Sequence, residues 1–320
     1  MVESNQKIGW IGVGRMGHPM AERLLAAGHD VAIFNRTRAK AEPLAKRGGR
    51  VVDRAAELAA VDVLFSIVST GPDLEEIYFG DGGVAVDRGK LPKIFVDCST
   101  IGVEESANIR RRLADLGADF VAAPVSGNAK CVRAGKLSAV VSGPERACRM
   151  VRPLIEAFAP RGVSYVGEGE LARICKIAHN VFLGVVIENL AEITVLANKA
   201  GVPRHAFLAF INNSVMGSIF TAYKSPALVN LDWTTTFTPE LLRKDLDLGL
   251  ELGREFDVPM PVTASTREQL QAHFGAASLT PDPRQYLSQD FAALLETVAL
   301  GAGMKLVSEN KNVPSGLETP

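Results

Sequence analysis

Lys7-Ile-Gly-Trp-Ile-Gly-Val-Gly-Arg-Met-Gly17 carries a short apolar, strand-like run straight into a segment with helical spacing, and Gly12, Gly14 and Gly17 form G-x-G-x-x-G at the junction. The three glycines serve different ends. Gly12 makes a tight turn, Gly14 lets a pyrophosphate approach the backbone, and Gly17 permits close helix packing. With Arg15 and Met16 between them, the turn would present free N–H groups and the positive end of a helix to phosphates. A bare glycine triplet is a weak signal. Strand–turn–helix context at the start of a βαβ unit makes it a dinucleotide signal, against the alternative of a turn without a ligand.

The next strand-like run, residues 30–35, ends in Asn35-Arg36-Thr37, with Arg38 following. An acidic residue at this strand end would accept hydrogen bonds from the ribose hydroxyls of NAD. A guanidinium instead grips the extra phosphate of NADP, which a carboxylate would repel. NADP(H) is therefore expected in preference to NAD(H). The alternative is that Arg36 and Arg38 are solvated charges at a helix start. Two later strand ends, Val68-Ser69-Thr70 and Asp97-Cys98-Ser99-Thr100, should line the same crevice and hold the nicotinamide half. Each reads equally well as a helix cap.

Further apolar runs at 61–68, 93–97, 120–122, 137–142 and 163–166 alternate with helical stretches such as 37–47 and 102–116. That alternation predicts an α/β fold, a doubly wound parallel sheet of the Rossmann type. After Gly167 a long helical pattern covers 171–200, followed by helical segments at 203–212, 239–256 and 262–274. The expected organisation is a cofactor domain (1–168), a long interdomain helix (169–200), an all-α domain (201–308) and a loose tail (309–320). Apolar residues are 47 % and charged residues 22 % of the 320, the balance of a globular protein, and a net charge of −1 gives no general attraction to nucleic acid or membrane. Cys98, Cys131, Cys148 and Cys175 have no paired spacing and read as reduced thiols, and no signal peptide or membrane span is expected. A cytoplasmic protein follows. The histidines His18, His29, His205 and His273 have no ligand-like spacing, and no metal is assigned.

Hydride transfer to a carbonyl requires a group that protonates the developing alkoxide. Lys176 and Asn180 stand four residues apart, on one face of the long helix, among apolar Ile174, Ile177, Val181 and Phe182. Burial would lower the lysine's pKa toward a range useful for proton transfer. A lysine snorkelling at a domain boundary fits the composition equally.

At these residues the chain resembles the β-hydroxyacid dehydrogenases, the group of 3-hydroxyisobutyrate dehydrogenase and the glyoxylate/succinic semialdehyde reductases within the 6-phosphogluconate dehydrogenase superfamily. The resemblance rests on Ile8-Gly-Trp-Ile-Gly-Val-Gly-Arg-Met-Gly-His-Pro-Met20, Pro124-Val-Ser-Gly127 with Gly135-Lys-Leu137, Lys176-Ile-Ala-His-Asn180 and Lys244-Asp-Leu246. It implies that Lys176 is the general acid/base, with Asn180 holding it or the substrate. It implies that Ser126 and Gly127 bind a substrate carboxylate, Thr100 contacts the nicotinamide ribose, Lys244 approaches the cofactor, and Phe237 walls out water. The chain departs from the family pattern at three places: Asn128 where a second glycine is usual, Ala122 in place of an acidic residue, and His179 in place of an asparagine. Asn128 brings a side chain into the substrate loop. His179 is either a titratable neighbour of the lysine or a packed histidine turned off the active face. The implied reaction interconverts a small β-hydroxy acid and its semialdehyde or keto form. An imine reductase shares the architecture but as a group lacks the lysine. A non-catalytic module using the cofactor fold for assembly is a further alternative, which NADPH titration would separate. The long helix has apolar residues on several faces, so an oligomer is expected, and the resemblance implies a homodimer or homotetramer.

Overall fold

The computed structural model describes residues 6–87 and 89–318, so the ends of the expected first domain and of the expected tail lie outside the described residues. The chain divides into two compact units, Met1–Lys176 and Ile177–Pro320.

In the first unit, β1 (Ile8–Ile11), β2 (Val31–Phe34), β3 (Arg50–Val51), β4 (Val63–Ser66), β5 (Ile94–Asp97) and β6 (Asp119–Ala122) form one parallel sheet in the order β3-β2-β1-β4-β5-β6. Every residue of β1, β4 and β5 is buried, as expected of parallel strands covered on both faces. The flanking helices are α1 (Gly17–Ala26), α2 (Glu42–Ala45), α3 (Gly71–Phe79) and α4 (Val103–Asp115), followed by α5 (Ala129–Arg133) and α6 (Glu145–Phe158). Trp10 of β1 is fully buried, stacked on Phe65 with ring centroids 5.6 Å apart and edge-on to Phe158 at 5.9 Å. The strand order reverses between β1 and β4, and a ligand crevice opens beyond the strand ends at such a point.

Two local differences from the sequence reading have physical causes. Residues 37–47 form a 3₁₀ turn and the single turn α2, not one charged helix, because Pro43 is accommodated only in a first helical turn. The last strands leave the main sheet: β7 (Val125–Ser126), β8 (Ser138–Val141) and β9 (Gly162–Tyr165) make a small sheet of their own, with β7 and β8 antiparallel. Pro124 brings no N–H to extend β6, and an isolated bridge between Ala122 and Ser142 ties the two sheets together.

The helix α7 (Leu171–Lys199) begins in the first unit and continues through the second. By length and composition it could cross a membrane, but half of its most apolar window is buried inside the protein, as in a core helix. The second unit adds α8 (Arg204–Asn213), α9 (Ile219–Asn230), α10 (Pro239–Glu255), α11 (Pro261–Ala277), α12 (Pro283–Leu287) and α13 (Leu294–Gly301), around a core including Ile187, Leu190, Leu208, Leu242, Leu246 and Phe291. Helix α9 escaped the sequence reading because Pro226 interrupts its pattern. The expected loose tail is instead tied down as far as Val313. Glu309 accepts from the backbone N–H groups of Arg204 (2.7 Å) and His205 (3.0 Å), Lys311 exchanges two bonds with Asn230, and Val313 packs on the core. Its polar composition concealed specific partners.

Candidate functional site

The glycine turn is fixed by its neighbours before any ligand is considered. Gly12 has φ +91°, and a Cβ there would lie 2.1 Å from the Ile67 carbonyl oxygen. A Cβ on Gly17 would lie 1.9 Å from the Gly12 carbonyl oxygen, which also accepts from the Trp10 indole at 2.9 Å. Gly14 differs: it is exposed, and a Cβ on it would meet nothing within 4 Å beyond its own chain neighbours among the described residues. The fold therefore demands glycine at Gly12 and Gly17 but not at Gly14. Helix α1 opens with no side-chain cap and no acidic residue in its first turn, and Arg15 and Met16 precede it. These residues fit a dinucleotide pyrophosphate.

Asn35 braces the turn from the end of β2. Its Oδ1 accepts from the Val13 N–H at 3.0 Å, and its amide donates to the Thr37 carbonyl at 2.9 Å. Arg38 is engaged by Glu42 (2.8 Å) and Asp53 (2.5 Å). The Arg36 side chain is 89 % exposed and makes only a loose 3.5 Å contact with Asp73, so of the two guanidinium groups it is the one available to a ligand. Thr37 and Ser69 are exposed and Val68 is half-buried. Thr70 caps α3, accepting from the Asp73 N–H at 3.2 Å.

A buried ionic network that the sequence reading missed lies under the ends of β4 and β5. Asp97 and Arg173 are 0 % and 1 % exposed, with Nη2 2.6 Å from Oδ2. Asp97 also accepts from the hydroxyls of Ser66 (2.7 Å) and Ser99 (2.8 Å), and the Ser99 hydroxyl accepts from the Val68 N–H at 2.8 Å. Arg173 donates further to the Ser99 carbonyl (2.6 Å) and the Ser106 hydroxyl (3.1 Å). The Ser99 hydroxyl is thus committed to the protein, whereas Thr100 beyond it is half-buried. The effect is to fasten the first turns of α7 to the carboxyl end of β5. Lys176, half-buried, follows Arg173 by three residues, one helical turn at about 1.5 Å rise per residue. The available signal was a lone arginine in an apolar helical run together with an aspartate closing an apolar strand.

Ser126 ends β7 opposite Ser138 of β8. Gly127 follows with φ +129°, and a Cβ there would crowd the Cys131 Cβ at 2.8 Å. Asn128 caps α5: its Oδ1 accepts from the N–H groups of Lys130 (2.9 Å) and Cys131 (3.1 Å).

In the second unit, Asn180 is buried and its amide donates to Asp245 of α10 at 2.5 Å. The His179 Nδ1 lies 2.9 Å from the Asn180 Oδ1. These contacts tie Asn180 to its own helix and to α10. Lys244 Nζ lies 3.6 Å from the Asp245 Oδ1. Glycine makes this approach possible, since a Cβ on Gly249 of α10 would sit 2.2 Å from the Val181 Cγ2 of α7. Phe237 is half-buried, its ring edge-on to Phe291 at 5.6 Å and its N–H 3.3 Å from Asp290. Asp290 holds this segment through bonds from Thr236 and a buried 2.5 Å ion pair with Lys224, neither of which the sequence reading singled out. Burial alone would raise the Asp290 carboxyl; the Lys224 ammonium and the Thr236 and Ala292 donors outweigh it and hold the carboxyl below its ordinary value.

Comparison with known proteins supplies the class. Residues 7–167 match the NAD binding domain of 6-phosphogluconate dehydrogenase, and residues 170–286 match the NAD-binding domain of NADP-dependent 3-hydroxyisobutyrate dehydrogenase. The 2-(hydroxymethyl)glutarate dehydrogenase of Eubacterium barkeri is 31 % identical over 265 residues, 82 % of this chain and 87 % of that one. The 2-hydroxy-3-oxopropionate reductase of Escherichia coli K12 is 30 % identical over 94 % of this chain and 99 % of its own length. Among solved structures, the 3-hydroxyisobutyrate dehydrogenase of Mycobacterium tuberculosis with L-serine superposes with a TM-score of 0.77 at 26 % identity, covering 92 % of this chain and 99 % of that one. The chain belongs to the β-hydroxyacid dehydrogenase family. It is an NAD(P)-dependent oxidoreductase of the kind acting on CH–OH groups.

Proposed function

We propose that the protein interconverts a small β-hydroxy acid and its semialdehyde or keto form, with NADP(H) as cofactor and Lys176 as general acid/base. The observation that carries this reading is the fastening of α7, three residues before Lys176, to the β5 strand end through Arg173 and Asp97. When bound, the nicotinamide supplies or accepts the hydride. Lys176 gives its Nζ proton to the alkoxide oxygen in reduction and takes a hydroxyl proton in oxidation. Ser126 and Gly127 hold the substrate carboxylate by hydroxyl and backbone N–H donors. Gly14 and the uncapped start of α1 receive the pyrophosphate, with Asn35 bracing the turn, and Val68 and Thr100 border the nicotinamide half. Asn180, through Asp245, aligns α10 and Lys244. Phe237 excludes water.

The preference for NADP rests on Arg36, exposed at the end of β2 with no acidic residue beside it in the sequence, and on the NADP-dependent description of the matching C-terminal family. Three relatives are each named for a carboxylate: a glutarate, an oxopropionate and an isobutyrate. An assembly of two or four chains is supported by Phe182 and Leu196, each 69 % exposed on α7 of the single chain. A cytoplasmic enzyme fits the cysteine usage.

A plate of small aldehydes and β-hydroxy acids, assayed with NADPH or NADP⁺ and again with the NAD pair, tests the proposal. Turnover of carboxylate-bearing substrates with the NADP pair is expected. Activity with the NAD pair alone would overturn the reading of Arg36, and turnover of none would overturn the reaction.

A further inference from the structure

Asn128 is satisfied at one end only. Its Oδ1 takes two backbone donors, from Lys130 and Cys131, which settles which end of the amide is oxygen. The other end, Nδ2, carries two N–H groups. The residue is 8 % exposed, Nδ2 is shut off from solvent, and it has no acceptor among the described residues. Capping alone does not explain this side chain. Serine, threonine or aspartate would cap α5 as well and leave no buried N–H₂ group behind. A buried donor without an acceptor is destabilising unless something else supplies the oxygen.

The position of that donor narrows what the oxygen belongs to. Asn128 directly follows Ser126 and Gly127, the pair assigned to the substrate carboxylate. Gly127 admits no side chain, since its φ is +129° and a Cβ there would press on Cys131 at 2.8 Å and Leu137 at 3.0 Å. The Asn128 amide is held by its two bonds to the start of α5 while its N–H₂ group stays uncommitted. In a β-hydroxy acid the carboxylate carbon is bonded to C2, so a substrate oxygen that supplies the acceptor beside the carboxylate pair would be one carried on C2.

We infer that the Asn128 amide is a specificity-determining donor to an oxygen on C2 of the substrate. The preferred substrate is then a small acid with a C2 hydroxyl, not one with a C2 methyl group. This rests on the carboxylate reading of Ser126 and Gly127 proposed above. A methyl group in this place would leave the amide buried and unpaired, a mismatch that discriminates more strongly than a merely missing contact.

The test is kcat/KM with NADP⁺ for two racemic acids differing at C2, glycerate (hydroxyl) and 3-hydroxyisobutyrate (methyl). Wild type is compared with Asn128→Ser, which keeps a cap without the amide, and Asn128→Asp, which keeps the cap and puts an acceptor where the donor was. The ratio between the acids is the readout, so any general repulsion by the new carboxylate cancels. Wild type is expected to favour glycerate by about tenfold or more, Asn128→Ser to bring the ratio within about threefold, and Asn128→Asp to reverse it. Melting temperature and NADPH titration confirm that each variant folds; Asn128→Ser alone suffices if Asn128→Asp does not. A wild-type preference for the methyl acid, or a ratio unchanged in the folded variants, overturns the inference. Failure of wild type to oxidise either acid with NADP⁺ or NAD⁺ overturns the underlying reading of the reaction instead, and the inference with it.

Discussion

At the scale of single residues, the three glycines of one motif separate cleanly. Gly17 is demanded by the fold, because its Cβ would collide with the Gly12 carbonyl oxygen at 1.9 Å, whereas Gly14 is not, and the proposed pyrophosphate contact gives it a reason. Gly14→Ala should leave the melting temperature within a degree or two of wild type while weakening NADPH binding by about tenfold or more, since a methyl group would stand between backbone and pyrophosphate. Gly17→Ala should destabilise the fold by about 2 kcal/mol or more through strain at the turn. Fluorescence titration and denaturant melts on the two variants check both. Equal losses of affinity in the two, with equal losses of stability, would show that Gly14 is structural.

At the scale of elements, the connection that matters joins α7 to β5. Removing one partner of a buried ion pair leaves the other charged and unsolvated, which costs about 3–5 kcal/mol. Arg173→Leu should lose stability of that order, and Arg173→Leu combined with Asp97→Leu should recover part of it, as urea unfolding curves would register. A loss below about 1 kcal/mol would mean the pair is not what fastens the helix. Strand and helix positions were legible because their periods differ and glycines mark the joints: β1, β4, β5 and α7 fall within a few residues of the sequence reading. The small sheet of β7, β8 and β9 was not legible, since apolar runs do not say which strand pairs with which. The Asp97–Arg173 pair was hidden for a related reason. Its members lie 76 positions apart, and charged residues carry no periodic signal that links them. The glycine turn stood out because it is contiguous, whereas Ser126-Gly127-Asn128 was singled out only by the family resemblance. The orphaned Asn128 Nδ2 was not, because only burial reveals it.

At the scale of the whole molecule, one buried group links stability to pH. Glu188 on α7 is 4 % exposed, and neither carboxylate oxygen has a hydrogen-bond partner among the described residues. Burial, assisted by the like charge of Glu192, pushes its carboxyl up from 4.5 to about 7. Between those values the folded chain holds a proton that the unfolded chain has released, so stability falls as pH rises through the window and stays lower above it. Glu188→Gln should therefore raise the melting temperature at pH 8 by about 5 °C and change it little at pH 5. An equal shift at both values would place the effect elsewhere. The catalytic claim for the molecule converges on Lys176, carried on a helix that Arg173 ties to the β5 strand end. For Lys176→Ala, NADPH titration should match wild type while turnover of the best substrate falls by about 10²–10⁴-fold. A variant that binds NADPH and turns over at a near wild-type rate would contradict the assignment of Lys176 as the acid/base.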